Sequence, residues 1–334
     1  MVRCRRVRPS AGCRRVLADA AVAQAGLTSR PRHLAVTPMT SKRIGLIGVG
    51  LMGHGIASNL LKHGHSLAVL EHPGNQPLDA LKAAGARTHA SARALAREAD
   101  VVLLCVTGSP QVDAVLLGTD GVVSGLRPGT VVIDCSTAVP TSTDRMAQAV
   151  HAAGGRFLDA PMTRTPKEAA EGRLNLLVGG DGALFAECRP LLACFAENIT
   201  HVGPVGAGHR MKLLHNYVSL GFIALLSEAA ACAQRAGVSA DTFVEVLAKG
   251  GGGSVALERL KPYLLQRDAS SLRFAMANAQ KDLGYYQTMA RDTGAVAEIA
   301  DAVLRTYAQG VADGGPQAQA IELSTLLAAR TASR

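Results

Sequence analysis

The chain has no tryptophan, and aromatic residues make up only 3% of its 334 residues. Proteins that bind single-stranded nucleic acid stack the bases on aromatic side chains, so this composition argues against such a surface. The seven cysteines include no C-x-x-C pair, and their odd number and scattered spacing argue against a zinc site. The same pattern favours a reducing compartment. We therefore expect a cytoplasmic protein with no metal and no nucleic-acid partner.

Long apolar runs and an evenly spread charge are also missing. No stretch of 18 or more uninterrupted apolar residues occurs, so we expect no transmembrane span and no membrane partner. Residues 1–40 hold eight arginines and one aspartate, which accounts for +7 of the total charge of +9. We interpret this leader as disordered, or as the result of a translation start placed too early, with Met39 as the real first residue. The remaining chain is nearly balanced in charge, which again favours no nucleic-acid surface.

A glycine-rich turn follows the first apolar run, Ile44 to Ile47, and an amphipathic segment follows the turn. This is the G-x-G-x-x-G pattern in its strand–turn–helix context, which is typical of dinucleotide binding. The residues expected to contact the dinucleotide here are Gly48, Gly50, Leu51, Met52 and Gly53. Glu71 ends a second apolar run, 23 positions after Gly48. A carboxylate there binds the ribose hydroxyls and repels a 2′-phosphate, so we predict NAD in preference to NADP; the alternative is a solvated charge at a strand end.

Strands and helices continue to alternate after Glu71. We predict strands at 101–106, 130–135 and 156–160 and a helix at 141–152. Such alternation indicates a doubly wound parallel sheet, a Rossmann fold, with the ligand at the carboxyl ends of the strands. The loops after these strands should therefore line the cofactor, through Val106, Thr107 and Thr137. Thr137 is equally well explained as an ordinary helix-entry residue.

A long segment without proline, residues 206–237, predicts one helix at 207–236 that joins two domains. We assign residues 41–204 to the nucleotide domain and 205–334 to an all-α domain, with further helices near 239–248, 254–265, 271–290, 293–309 and 316–330. Lys212, Asn216 and Ser219 share one face of the long helix. On spacing alone Lys212 is more simply a surface lysine than a proton donor.

Four stretches, at 45–60, 134–140, 159–180 and 206–217, together with Lys281-Asp282-Leu283, resemble the β-hydroxyacid dehydrogenase family. That family includes 3-hydroxyisobutyrate dehydrogenases and tartronate semialdehyde reductases. The resemblance implies an NAD(P)-dependent enzyme that assembles as a homodimer or homotetramer. It also implies that Lys212 is the catalytic acid and base, that Asn216 holds the substrate, and that Lys281 and Asp282 close the site, with Lys281 at the cofactor.

The loop that would grip the substrate's acid group, Thr163, Arg164 and Thr165, departs from the family's Ser-Gly-Gly. Arginine suits a carboxylate or a sulfonate, and this loop with Ser219 resembles the sulfolactaldehyde reductase branch. The alternative for Arg164 is a surface salt bridge. His215 replaces an asparagine of the family, and it either contacts the substrate's acid group or packs on the helix.

These patterns predict an NAD-dependent dehydrogenase that interconverts a small acidic aldehyde with its hydroxy acid. The alternative substrate is sulfolactaldehyde. An alternative of another class is a non-catalytic NAD-binding sensor or scaffold.

Overall fold

The computed structural model describes residues 42–330, so the prediction for the leader lies outside the described residues. Six short strands form the predicted parallel sheet in the order β3-β2-β1-β4-β5-β6. They are β1 Arg43–Ile47, β2 Ser66–Leu70, β3 Arg87–His89, β4 Val101–Leu104, β5 Val131–Asp134 and β6 Arg156–Asp159. The central strands β4 and β5 are buried throughout because their apolar runs face helices on both sides of the sheet.

The helices of this half alternate with the strands, as the sequence predicts. They are α1 Leu51–Lys62, α2 Asp79–Ala83, α3 Ala92–Glu98, α4 Ser109–Leu117 and α5 Pro140–Ala152. One apolar layer, which includes Ile44 and Leu46, packs under α1, and a second, which includes Val102, packs under α3 and α5. The doubly wound architecture is confirmed, although β4 and β5 are shorter than predicted by one or two residues at their ends.

The sheet has an antiparallel edge that the sequence did not indicate. Its strands are β7 Met162–Thr163, β8 Leu174–Gly180 and β9 Ala196–Gly203. They are connected by the helices α6 Pro166–Ala170 and α7 Gly182–Leu192. Strand β8 runs antiparallel to β6 and β7, whereas β9 runs parallel to β8. This edge returns the chain to the carboxyl end of β6, which is where the next helix begins.

The rest of the described chain is helical, as predicted. It comprises α8 Ala207–Arg235, α9 Ala240–Ala248, α10 Val255–Gln266, α11 Met276–Thr293, α12 Glu298–Gly314 and α13 Leu323–Ala329. The 29 residues of α8 span about 43 Å, and α10, α11, α12 and α13 all pack against it. The helix predicted from 271 begins at Met276, because the backbone N–H of Met276 bonds instead to the Ala318 carbonyl at 2.7 Å.

Within residues 42–330, α8 alone is long and apolar enough to cross a membrane by length and composition. The central helix of a globular core meets the same criterion. The first turns of α8 carry buried polar side chains, namely those of His209, Lys212 and Asn216. These side chains have partners in both halves of the molecule, and they define the candidate site.

Candidate active site

The glycine-rich turn between β1 and α1 has the geometry of a phosphate-binding turn. Gly48 has a φ of +95°, and a Cβ there would lie 2.3 Å from the Cys105 carbonyl oxygen. A Cβ on Gly53 would lie 2.0 Å from the Gly48 oxygen, so both positions need glycine for close packing. A Cβ on Gly50 would meet nothing within 4 Å. That space adjoins the N-terminus of α1, where Leu51 and Met52 begin the helix, so a pyrophosphate fits there.

Glu71 lies immediately after β2, at the rim of a cavity of about 400 Å³ that also includes His72, Asn75 and Gln76. Its carboxylate is exposed, and hydrogen bonds from Thr88 and Lys82 lower its pKa. Asn75 ties this rim to the glycine turn, because its Oδ1 accepts from the Val49 N–H at 3.1 Å. An ionised carboxylate is therefore held at the end of the second strand, where the ribose of a dinucleotide binds in this fold.

The loops after β4 and β5 meet beneath helix α11. The backbone N–H of Val106 donates to Ser136 Oγ at 3.0 Å, which joins the two loops, and Thr137 follows in a half-buried position. The Nζ of Lys281 donates to the Thr107 carbonyl at 2.5 Å. The Ser109 N–H donates to the Tyr285 hydroxyl at 3.1 Å. Helix α11 thus contacts the sheet half through hydrogen bonds to main-chain atoms of the loop after β4.

Lys212 is buried, with 8% of its surface exposed. Burial lowers its pKa from 10.5 to about 8, while nearby Asp282 acts in the opposite direction and Lys281 lowers it further. One turn along the helix, Asn216 Nδ2 donates to Asp282 Oδ2 at 2.6 Å, and Asp282 Oδ1 lies 3.1 Å from Lys281 Nζ. The structure therefore brings together the four residues Lys212, Asn216, Lys281 and Asp282 that the resemblance implied.

His215 and Ser219 lie beside this group on α8. His215 is an exposed residue with a partly buried ring, and its Nδ1 is 3.1 Å from Asn216 Oδ1. Partial desolvation lowers its pKa, the bond to Asn216 opposes that shift, and the positive charges of Lys212 and Arg259 add to it. Ser219 is half-buried on the face of Lys212. His215 is therefore hydrogen-bonded to Asn216, and the contacts of both residues with a substrate stay predictions.

The loop predicted to grip the acid group is engaged in local contacts. Thr163 Oγ1 accepts from Asn175 Nδ2 at 3.1 Å. Thr165 forms a capping box with Glu168 at the start of α6. Arg164 has a left-handed φ of 82°, and its guanidinium pairs with Glu197 and the Arg173 carbonyl. The salt-bridge alternative for Arg164 is thus the observed arrangement, and a free guanidinium aimed at a substrate anion is not.

Two further side chains at this site were missed from the sequence. Asp159 and His209 are fully buried at the start of α8. The available signal was positional, since Asp159 ends β6 at the carboxyl edge of the sheet, where ligands bind in this fold. The residues that they contact lie far away in sequence, so no local pattern marks them.

Two family models together match most of the chain. Residues 43–203 match the NAD-binding domain of 6-phosphogluconate dehydrogenase. Residues 206–327 match the NAD-binding domain of NADP-dependent 3-hydroxyisobutyrate dehydrogenase. The two matches divide the chain immediately before α8, the helix that carries Lys212, and they identify an NAD(P)-binding protein.

Individual relatives agree with these matches. The chain is 36% identical to an NAD-dependent L-serine dehydrogenase of Pseudomonas aeruginosa, over 78% of this chain and 86% of that protein. A 3-hydroxyisobutyrate dehydrogenase from Salmonella typhimurium superposes with a TM-score of 0.74 and 28% identity, covering 85% of this chain and 99% of the other. The Mycobacterium tuberculosis 3-hydroxyisobutyrate dehydrogenase with L-serine superposes with a TM-score of 0.74 and 26% identity. The match covers 86% of this chain and 98% of the other.

Proposed function

This chain belongs to the β-hydroxyacid dehydrogenase family, and we propose that it interconverts a small hydroxy acid and its aldehyde with Lys212 as the general acid and base. The observation that carries the proposal is a buried lysine with a pKa of about 8, beside Asn216. When bound, the nicotinamide supplies or accepts the hydride. Gly48, Gly50, Gly53 and Glu71 would hold the dinucleotide, because their geometry leaves room for its phosphates and ribose.

Lys212 serves both directions of the reaction because its pKa lies close to neutral pH. In aldehyde reduction its ammonium donates a proton to the oxygen on which negative charge develops. In hydroxy-acid oxidation its neutral amine takes the hydroxyl proton. Asn216 is held by Asp282 at 2.6 Å, so its amide keeps a fixed orientation and would present its remaining hydrogen-bonding capacity to the substrate.

For the substrate, we propose a small three- or four-carbon hydroxy acid. L-Serine and 3-hydroxyisobutyrate occur in the names of the relatives and are the first candidates. The sulfolactaldehyde alternative requires Arg164 to leave Glu197 and turn toward the ligand, so the observed ion pair weighs against it. A kinetic panel of L-serine, 3-hydroxyisobutyrate, glycerate and sulfolactate separates these candidates, and a sulfolactate kcat/KM above the others would reverse the ranking.

We further propose that NAD is preferred over NADP, that the protein acts in the cytoplasm, and that it forms a homodimer or homotetramer. The cofactor preference is supported by the exposed, ionised Glu71. Assembly is supported by a stripe of exposed apolar side chains along one face of α8, which comprises Met211, Leu214, Val218, Phe222 and Leu225. These positions recur every three or four residues, so they form one continuous surface.

Replacing Lys212 by methionine, which keeps the side-chain length but not the charge, tests the central claim. We expect kcat to fall by about 10² or more, a general acid–base effect, with the Kd for NADH changed only a few-fold. Lys249→Met is the matched control, since Lys249 is exposed and pairs with Glu245 on α9. A Lys212→Met protein with unchanged turnover would refute the proposal. NADH binding by the unaltered protein, without turnover of any acid in the panel, would favour the non-catalytic alternative.

A further inference from the structure

A buried carboxylate from the sheet caps the helix that carries Lys212. Asp159, the last residue of β6, is fully buried, and its two oxygens accept hydrogen bonds from the N–H groups of Gly206 at 2.7 Å and His209 at 2.8 Å. These are the N-cap and third positions of α8, whose N–H groups lack partners within the helix. Gly206 has no side chain that could cap its own helix, so Asp159 takes that role from 47 residues away.

Glycines make this approach possible. A Cβ on Gly208 would lie 2.3 Å from the Leu177 carbonyl oxygen and 2.7 Å from Asp159 Oδ2. A Cβ on Gly179 in β8 would lie 2.5 Å from Asp159 Oδ1. The start of α8 therefore lies directly against β8 and the end of β6, with no space for it to slide.

The ring of His209 fastens the same turn to the loop after β5. Its Nε2 lies 3.1 Å from the Ser136 carbonyl, which only accepts, so Nε2 carries a proton. Its Nδ1 lies 2.8 Å from Thr143 Oγ1 on α5. Asp134 Oδ2 and Asp159 Oδ2 are 3.9 Å and 3.8 Å from the two ring nitrogens. The ring is completely buried and bonded on both edges.

The positions 209, 212 and 216 are three and four residues apart, so His209, Lys212 and Asn216 share one face of α8. His209 binds the sheet half, and one turn beyond Lys212, Asn216 binds Asp282 of α11. Lys212 lies between these two attachments. We propose that Asp159 and His209 are positioning residues. They fix the position of α8 along its axis and its rotation about that axis, and so hold the Lys212 amine in a fixed position relative to the loop at Ser136.

This inference rests on the proposed function, and its consequence is measurable without turnover. If the first turn of α8 loosens, the Lys212 amine gains water and its pKa rises from about 8 toward 10.5. The charged groups on α11 that act on this amine are Asp282 and Lys281, and His215 lies on its own helix. None of these groups is altered when His209 is replaced, so a shift would report a displacement of the amine.

The test compares His209→Leu, which removes both ring hydrogen bonds, with His209→Gln. The glutamine amide can donate to the Ser136 carbonyl, and its oxygen can accept from Thr143, as the ring nitrogens do. The pH midpoint for acetylation of Lys212 by acetic anhydride is read by peptide mass spectrometry on the folded protein without substrate. We expect His209→Leu to raise the midpoint by about one unit or more, and His209→Gln to restore the unaltered value.

Kinetics give the second readout. We expect His209→Leu to lower kcat about 10- to 100-fold, with the substrate KM and the Kd for NADH within a few-fold, because small displacements of a reacting group are costly. Arg210→Ala is the matched control on the same turn, since Arg210 makes a half-exposed ion pair with Asp144, and it should leave the midpoint in place.

A folded His209→Leu protein with the unaltered midpoint and kcat would overturn the inference, and so would equal shifts in the leucine and glutamine variants. If His209→Leu does not fold, Thr143→Val takes its place, because it removes only one partner of the ring. Its acetylation midpoint is compared with that of the unaltered protein, and we expect a smaller rise. A protein that turned over no hydroxy acid would remove the proposed function but would leave the acetylation result standing.

Discussion

At the scale of single residues, the proposed reaction depends on one amine, that of Lys212, which is kept in an unfavourable environment. Lowering the Lys212 pKa from 10.5 to about 8 disfavours its charged form by about 3 kcal/mol. The stability contribution has a definite sign: the unfolded chain holds this proton up to a higher pH, so folding becomes more favourable as pH rises from about 8 toward 10.5. At neutral pH the fold therefore carries a cost at this position, which is common at functional sites.

Asp282 and Lys281 adjust this pKa in opposite directions. In the proposed oxidation of a hydroxy acid the neutral amine takes the proton, so kcat/KM should rise with pH through a midpoint of about 8. Asp282→Asn should move that midpoint to lower pH, since a group that favours the ammonium is lost. Lys281→Met should move it to higher pH. Rate–pH profiles of the three proteins test this, and two shifts in the same direction would contradict the assignment.

Glu71 is the residue that we expect to select the cofactor. Glu71→Gln should raise kcat/KM for NADP by about tenfold, because the 2′-phosphate no longer meets a carboxylate. Lys82, whose Nζ is 3.4 Å from Glu71, is then free to attract the phosphate. The double variant Glu71→Gln, Lys82→Met should accordingly lose much of the gain. Steady-state kinetics with both cofactors measure the effect, and unchanged selectivity in Glu71→Gln would eliminate Glu71 as the determinant.

At the scale of elements, we expect the turn before α1 to divide a folding role and a binding role between two glycines of one motif. Gly53 has no room for a side chain, whereas Gly50 faces open space. The φ of −76° at Gly50 suits any residue. The packing of the fold thus requires glycine at Gly53, whereas at Gly50 we expect only a bound dinucleotide to require it.

Alanine at each position tests that division. Gly53→Ala should lower the melting temperature by several degrees, since its Cβ would lie 2.0 Å from the Gly48 oxygen. Gly50→Ala should melt within about 2 °C of the unaltered protein and still bind NADH at least tenfold more weakly, because its methyl group would occupy the phosphate-binding turn. Thermal unfolding and NADH titration together give the answer. Unchanged NADH affinity in Gly50→Ala would place the phosphates elsewhere.

The elements that could be predicted from sequence are those specified locally. The glycine turn, the alternating strands and the face shared by Lys212 and Asn216 each follow from periodicity or spacing. The partner of Arg164 could not be predicted, because Glu197 lies 33 residues away on a strand of the antiparallel edge. The attachments of His209 likewise depend on how β5 and β6 meet α8. Contacts of that kind are set by tertiary packing, which no short pattern records.

At the scale of the whole molecule, α8 has three different surfaces. One packs against the other helices through Leu220, Ile223 and Ala224, and one carries the site residues. The third exposes Met211, Leu214, Val218, Phe222 and Leu225. Large continuous apolar patches commonly mark interaction sites, so we expect another subunit to cover this stripe.

We expect the purified protein to be an oligomer with this stripe at the interface. Phe222 and Leu225 are 48% and 66% exposed, so glutamate at both positions should leave the subunit folded and reduce the mass to that of a monomer. Light scattering after size-exclusion chromatography measures the mass. Glu228→Gln on the same helix serves as the control. A double variant that retained the mass of the unaltered protein would locate the interface elsewhere, and an unaltered protein that was monomeric would contradict assembly itself.

The attachment of α11 to the loop after β4 has a consequence for substitutions in that loop. Lys281 and Tyr285 bind the carbonyl of Thr107 and the N–H of Ser109, which are present whatever side chains the loop carries. A substitution at Thr107 can therefore change the side chain that the loop would present to a ligand without breaking the contacts that join the two halves. Gly108 is the exception, since a Cβ there would lie 2.4 Å from the Tyr285 hydroxyl. A variant chain can thus differ in a side chain of this loop while the main-chain contacts with α11 stay the same.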